Sequence, residues 1–296
     1  MRHSLLAAAA LALVAAAPPP PKFATPPSVI TESKASEWQA IPADDLMVID
    51  LKDGRRIVVQ LAPLFAPVHA ANIRALAKSG YWQGASIYRV QDNYVAQWGN
   101  NDATKGVPAG VVAKPPAEYE RRLAGLKIVP LGSPDAYAPK VGYTAGWPVA
   151  YDSKAGTANL PHCYGSVGVG RDLSPDTGMG GELYAAIGHA PRSLDRVIAV
   201  VGRVVSGVDI LSSLPRGTEA LGFYKERTSD VPIANVRLAS QLPDAERPRF
   251  EYLRETSASF TRWLQVKKNR RDEFYIHPAG GVDLCNAPVP VRASAP

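Results

Sequence analysis

The sequence predicts a mainly β fold, a closed antiparallel barrel with two helices, and three observations carry that prediction. Short apolar runs with the two-residue alternation of strands recur along the chain, separated by turns rich in Gly, Pro and Asp. Only two helical segments interrupt them in the first 240 residues. Nowhere do strands and helices alternate in the rhythm of a parallel sheet. The 296 residues, 46% apolar and 20% charged, supply a core for one large domain or two ordinary ones. That composition excludes a collagenous or wholly disordered chain.

The elements follow in order. Met1-Arg2-His3 is a short basic start, and Leu5 to Ala17 is an apolar run too short to span a bilayer. Residues 1–17 therefore read as a secretory signal peptide, with small residues near Val14-Ala15-Ala16 for cleavage and a retained membrane anchor as the alternative. The expected location is periplasmic or secreted, with no integral membrane span after cleavage. Residues 18–44 are a Pro-rich linker and lead-in, and Pro18 to Pro27 predicts a stiff extended segment. From Asp45 to Ala62, Met47, Ile49 and Leu51 share one strand face and Ile57, Val59 and Leu61 another, with Asp53-Gly54 as the hairpin turn. Ala66 to Ser79 predicts a helix, opened by Pro67, striped by Val68, Ala71, Ala75 and Leu76, and stopped by Gly80.

Next comes the most informative stretch, Ile87 to Gly99, where Arg89 and Gln97 sit among strand-forming apolar neighbours. Eight residues apart, they share a face if the segment stays extended. Residues 104–162 are rich in Gly, Pro, Ala and Tyr and predict an inserted surface loop with one strand near Tyr119 to Leu126. Strands return at Gly165 to Gly170, Glu182 to Ile187, Val197 to Val205 and Ile233 to Leu238, with a short helix at Val208 to Leu214. Residues 241–296 form a C-terminal extension expected to pack on the barrel of residues 45–240. Within it Ser257 to Asn269 predicts an amphipathic helix with Phe260, Trp263 and Leu264 inward, and the tail from Ala287 is expected to fray.

The two cysteines, Cys163 and Cys285, both fall in the exported part. In an oxidising compartment they are expected to form a disulfide closing about 120 residues, two buried thiols being the alternative. No His-Glu-x-x-His, Cys-x-x-Cys or EF-hand pattern occurs, and the five histidines lack ligand spacing, so neither a metal nor another cofactor is expected. Gly168-Val169-Gly170 and Gly178-Met179-Gly180-Gly181 lack the nucleotide fingerprint and a Walker lysine, and no Gly-x-Ser-x-Gly elbow is present. The charge of +6 and pI near 9.3 favour anionic partners only weakly. The single dense basic run is Lys267-Lys268-Asn269-Arg270-Arg271, and export argues against nucleic acid.

Against this background the order of segments resembles the cyclophilin family of peptidyl-prolyl isomerases. Ala66-Pro67 and Asn72-Ile73 stand where the family has Ala-Pro and Asn-Phe, and Gly80-Tyr81-Trp82-Gln83-Gly84 is similar to its Gly-Tyr-Tyr-Asp-Gly turn. Tyr88-Arg89-Val90 and Gln97-Trp98-Gly99-Asn100 resemble Phe-His-Arg-Val and Gln-Gly-Gly-Asp. His162 to Val169 resembles His-x-x-Gly-x-Leu-Ser-Met. Leu194-Asp195 and Val201-Gly202-Arg203-Val204-Val205-Ser206-Gly207-Val208-Asp209 follow in the family's order. The resemblance runs from about Asp45 to Leu238 and implies an eight-stranded barrel capped by two helices, Pro-containing polypeptide substrates, no cofactor and a monomer. Carried over residue by residue, it implies Arg89 as the catalytic group and Gln97, Tyr94, Val95, Gly170, Arg171, Glu182, Tyr184, Leu194 and Ile198 as the substrate site. Four departures stand out: Glu182 replaces a glutamine, Tyr184 a phenylalanine, Ser193 a tryptophan found in some members, and Ile198 a histidine.

The chemistry fits those residue types. An X-Pro bond isomerises over a barrier of about 20 kcal/mol without any bond being broken, so no nucleophile or metal is needed. At the twisted transition state the prolyl nitrogen regains a lone pair, which a guanidinium stabilises more than it does either planar state. Tyr94, Val95, Tyr184 and Leu194 would form the apolar slot for the ring, and Gln97 would hold the carbonyl or the arginine. Glu182 is expected to pair with Arg89 or Arg171. Two other functions compete: a proline-binding chaperone or scaffold with little turnover, and a surface protein whose basic C-terminal helix meets anionic lipid or cell-wall polymer.

Overall fold

The computed structural model describes residues 23–100 and 105–294. The signal-peptide segment 1–17 lies outside the described residues. The chain opens with α1 (Pro26–Glu32), capped by the Thr25 side chain, and β1 (Trp38–Ala40). Then come β2 (Leu46–Leu51), β3 (Arg56–Leu61), α2 (Pro67–Lys78), β4 (Ser86–Val90) and β5 (Val95–Gly99). A second group follows: β6 (Arg121–Arg122), β7 (Val129–Pro130), β8 (Lys140–Thr144), β9 (Trp147–Asp152) and β10 (Thr157–Asn159). The chain continues through β11 (Ser166–Val169), β12 (Leu183–Ala186), β13 (Val200–Ser206), α3 (Val208–Ser212) and β14 (Val231–Leu238). It ends with β15 (Phe250–Leu253), α4 (Ala258–Lys268) and β16 (Val291–Ala293).

Eight strands close a barrel in the order β11-β12-β5-β4-β14-β2-β3-β13, every pair antiparallel. The alternation read from the sequence sets what fills it. Met47, Ile49 and Leu51 of β2 and Ile57, Val59 and Leu61 of β3 point inward, joined by Ile87, Trp98, Val167, Val169, Leu183 and Val201. Ile73 and Leu76 of α2 and Leu211 of α3 pack onto the same core. The start of α2 lacks a capping side chain of its own. Instead the Glu118 carboxylate accepts from the backbone N–H of Val68 (2.9 Å) and His69 (3.0 Å), satisfying donors that a helix start otherwise leaves orphaned.

Three local expectations are corrected. Ile87 to Gly99 is a hairpin rather than one extended strand: the chain reverses through Gln91 to Tyr94, where Asn93 takes φ 50°. Residues 104–162 hold a five-stranded sheet, β6-β10-β9-β8-β7, and the expected strand near Tyr119 to Leu126 shrinks to the two residues of β6. Strands of two or three residues are too short to show alternation, so the sequence conceals them. The termini are also ordered. Pro26 starts a helix rather than continuing an extended linker, and the tail beyond Ala287 forms β16, with Val289 buried.

These pieces fold together because each lacks a core alone. Val29, Trp38, Leu131, Tyr143, Leu253, Phe260, Trp263, Leu284, Ala287 and Val289 form a second core drawn from both ends of the chain and the insertion. Two further apolar clusters join the added segments to the barrel. Trp147, Val149, Ala158 and Leu160 pack on Ala62, Phe65 and Val200, while Ile41, Leu242 and Phe250 cover the outer side chains Leu46, Val48 and Val58 of β2 and β3. The tight β8–β9 turn, with Ala145 at φ 50° and Gly146 at φ 79°, is held by Glu255, which accepts from both backbone N–H groups (2.6 and 3.0 Å). No described helix is long and apolar enough to cross a membrane.

A disulfide joins Cys163, at the approach to β11, to Cys285, 122 residues away in the extension. Closing a loop of that length removes unfolded-state entropy worth about 4 to 5 kcal/mol in the chain-entropy account. The double variant Cys163→Ala/Cys285→Ala is therefore expected to unfold at markedly lower urea concentration. An unchanged midpoint would show that the second core holds the extension without the bridge.

Candidate functional site

Arg89 reaches the outside of the barrel through a break in the alternation of β4. Ile87 and Val90 both enter the barrel core, which leaves Tyr88 and Arg89 in succession between them. The pairing with β5 shifts at this point, from Ile87↔Trp98 to Arg89↔Gln97, so Tyr88 is the extra residue of a β-bulge. Two neighbouring side chains are thereby delivered to one patch. Across the sheet Arg89 faces Gln97, Gln97 faces Tyr184, and Tyr184 faces Gly168, a row spanning β4, β5, β12 and β11.

Hydrogen bonds order this row. The Arg89 guanidinium donates to the Leu221 carbonyl (2.7 Å), the Gln97 Oε1 (3.0 Å) and the Gln91 Oε1 (2.6 Å). It lies 5.8 Å from the Tyr94 ring centroid and 5.4 Å from that of Phe223. The same Gln97 donates through Nε2 to the Tyr88 hydroxyl (2.6 Å), which in turn donates to the Glu182 carboxylate. Arg89, Gln97, Tyr88 and Glu182 thus form a relay with every donor aimed from the guanidinium toward the carboxyl group. Such a chain fixes the orientation of the Gln97 amide, and each link polarises the next. Three of the five guanidinium N–H groups are engaged, which leaves two for a ligand.

Burial tunes the charges. It pushes the Arg89 pKa down from the ordinary arginine value. It raises that of Glu182, the hydrogen bonds from Tyr88 and the Asn100 backbone N–H opposing it only in part. The Tyr88 phenol is pushed up strongly by burial and by the facing Glu182. The expected ion pair of Glu182 with Arg89 or Arg171 does not form. Glu182 sits over Gly99, where a Cβ would fall within 2.1 Å of the carboxylate, and reaches Arg89 only through Tyr88 and Gln97. Arg171 donates to the carbonyls of Asp172 (2.6 Å) and Val197 (3.1 Å) and stacks over Tyr119.

Tyr184 is almost wholly buried, and its position is pinned from behind. The Tyr184 hydroxyl is 2.9 Å from His162 Nε2, and His162 Nδ1 is 3.1 Å from Asp195 Oδ1. A carboxylate only accepts, so Nδ1 carries the proton and, in the neutral ring, Nε2 accepts from Tyr184. The imidazole stacks on the phenol ring. Gly168 is required here, since a Cβ would come within 2.3 Å of the Tyr184 ring. Asp195 is held by Arg192, whose guanidinium is 2% exposed and also binds Asp135 of the insertion through two hydrogen bonds (2.8 and 3.1 Å).

The structure therefore brings Arg89, Tyr94, Gln97, Glu182 and Tyr184 into one patch. Gly170 adjoins it, its Cβ position 3.3 Å from Gln97 Nε2, and Val95 lies on the same outward face of β5 but is buried. Leu194 and Ile198 are half-buried on the following segment, linked by a backbone hydrogen bond of 3.3 Å, and attach to the patch through Asp195. Arg171 follows Gly170 and is bonded to the Val197 carbonyl beside Ile198. Sequence reading missed Tyr88, Gln91, Leu221 and the role of His162. For Tyr88 a signal existed, because Ile87 and Val90 are spaced by three and cannot both be inward in a regular strand. Leu221 contributes a backbone carbonyl, which no side-chain pattern reveals.

The chain has relatives among known proteins. The sequence model of the family described as "Cyclophilin type peptidyl-prolyl cis-trans isomerase/CLD" matches residues 46–240. Proteins named "Probable peptidyl-prolyl cis-trans isomerase" from Brucella suis and Brucella melitensis are each 26% identical over 181 residues, 61% of this chain and 76% of theirs. The crystal structure of a cyclophilin from Hirschia baltica superimposes with a TM-score of 0.68 at 22% identity, covering 93% of this chain and 100% of that one. That likeness is one of fold, and its coverage reaches beyond residues 46–240 into the second core. The chain belongs to the cyclophilin-type peptidyl-prolyl cis-trans isomerases and is an enzyme of that class.

The raised pKa of Glu182 gives a signed prediction. A raised carboxyl favours the protonated form in the folded state, so its contribution to stability is complete below the unfolded pKa of about 4.3 and is lost as pH climbs through the folded value. Glu182→Gln, which cannot ionise, should gain stability relative to the unaltered chain between about pH 4 and pH 8. Urea denaturation at both pH values measures this. A difference that does not grow with pH would refute the burial argument.

Proposed function

We propose that this isomerase acts on X-Pro bonds of exported polypeptides and that Arg89 is its catalytic residue. The observation that carries the reading is the held guanidinium. Three acceptors fix Arg89, two N–H groups remain, and burial leaves the charge poorly screened. A twisting prolyl nitrogen presented to those N–H groups gains a hydrogen bond that the planar amide cannot accept. Tyr94 and Leu194 offer partly exposed apolar surface for the pyrrolidine ring, with Val95 and Tyr184 forming the floor beneath it. Gln97 positions Arg89 rather than the substrate, since its oxygen already accepts from the guanidinium.

Export is supported by the basic and apolar start at residues 1–17 and by the Cys163–Cys285 disulfide, which suits an oxidising compartment. Isomerisation of proline bonds is slow enough to limit the folding of exported chains.

The test is the cis-to-trans exchange rate of a short X-Pro peptide, measured by NMR with the unaltered protein and with Arg89→Ala. Loss of one preorganised donor is expected to slow catalysis about a hundredfold or more, with the circular dichroism unchanged. Arg89→Lys should recover only part, because an ammonium cannot hold the three-acceptor fork. Full activity in a folded Arg89→Ala variant would remove Arg89 from the mechanism.

A further inference from the structure

The loop after α4 carries three consecutive apolar side chains into solvent: Phe274 is 83% exposed, Tyr275 42% and Ile276 64%. Single exposed apolar residues are ordinary, but a run of three on a protruding turn is not. The turn is built. Asp272 Oδ1 accepts from the backbone N–H of Phe274 (3.0 Å) and Tyr275 (2.8 Å), while the Asp272 N–H donates back to the Tyr275 carbonyl (3.2 Å). Arg270 donates to Asp272 (2.9 Å) and stacks 4.0 Å above the Tyr275 ring, which meets Phe274 edge to face. Both ends of the loop are anchored, by Trp263 and Leu264 of α4 on one side and by Leu284 and the disulfide at Cys285 on the other.

Basic residues adjoin this tip in sequence, and Arg270 touches it directly. The run seen in the sequence is reduced by the fold, because Lys268 donates to the Leu131 carbonyl and Arg270 is paired with Asp272. Lys267 and Arg271 make no ion pair among the described residues, and Glu273 is the opposing exposed acid.

We infer that the Phe274–Tyr275–Ile276 tip is a docking element for the surface of an anionic phospholipid bilayer. Apolar side chains at a tip enter the acyl boundary, a tyrosine sits at headgroup level, and basic residues behind them meet the phosphates. A polyanion would use Lys267 and Arg271 and leave the three apolar residues in water. An apolar protein pocket would use the tip and leave the basic residues idle. An anionic lipid surface uses both at once, and the inference is independent of the chemistry at Arg89.

The experiment uses the full chain with vesicles of phosphatidylcholine, alone or mixed with phosphatidylglycerol. Because both native cysteines are joined, an Ile276→Cys variant carries a unique thiol for an environment-sensitive NBD label. The label is expected to brighten and shift to the blue with the anionic vesicles only. In cosedimentation, Phe274→Ser/Ile276→Ser should weaken binding about tenfold. Lys267→Gln and Arg271→Gln should each weaken it about fivefold, and high salt should weaken it as well. A label that stays dark with anionic vesicles, equal binding to neutral vesicles, or undiminished binding by the apolar variant would overturn the inference. Self-association abolished by Phe274→Ser/Ile276→Ser, without vesicle binding, would assign the tip to a second copy of the chain instead.

Discussion

The buried guanidinium of Arg192 is where the barrel, the insertion and the C-terminal extension meet behind the candidate site. It binds Asp135 from the inserted sheet, Asp195 from the barrel segment, and lies 3.8 Å from the Cys285 sulfur of the extension. A charge this deep is tolerable only when it is fully paired, and removing one partner from such a cluster costs about 3 to 5 kcal/mol. From Asp195 the constraint passes to His162, and from His162 to Tyr184, the buried residue proposed above as the floor of the proline slot. The second core therefore does more than decorate a barrel. It holds the group that holds the pocket, which gives a physical reason for the insertion, the extension and the disulfide to converge at the same place.

On the other side of the row a different constraint operates. The bulge at Tyr88 places its hydroxyl beside Gln97, and the relay from Arg89 to Glu182 follows. Glu182, which stands in place of a glutamine, would compete with substrate if it paired directly with Arg89, as the sequence led us to expect. The fold separates them by two intervening groups, and the acid becomes the terminal acceptor of a chain that fixes the arginine. The cation at one end makes the hydrogen bonds it donates stronger than they would be among neutral partners.

Much of this was legible in the sequence, and what was not has identifiable causes. The β2–β3 hairpin was readable because Met47, Ile49 and Leu51 alternate cleanly around Asp53-Gly54, and α2 because Pro67 and Gly80 bracket an apolar stripe. Trp263 and Leu264 of α4 fell inward as their spacing predicts. The inserted sheet was hidden because β6 and β7 are two residues long and Pro130 and Pro148 interrupt the pattern. The ordered termini were hidden for another reason. Val29, Trp38 and Val289 acquire meaning only when residues some 250 positions apart share a core, and no local pattern announces that. In the site, Arg89 and Gln97 stood out as polar residues in apolar strands, but their meeting is made by a turn at Asn93 and a bulge at Tyr88 rather than by one extended strand.

We propose that Arg89 works because the relay through Gln97 and Tyr88 holds it in place. The most direct measurement is kcat and KM for prolyl isomerisation by Tyr88→Phe, which keeps the ring stacked on Phe223 and removes only the hydroxyl. Tyr88→Phe is expected to lower kcat about tenfold with little change in KM, since the loss is one of orientation in the transition state. An unchanged kcat in a folded Tyr88→Phe variant would contradict it and leave Arg89 positioned by Leu221 and Gln91 alone.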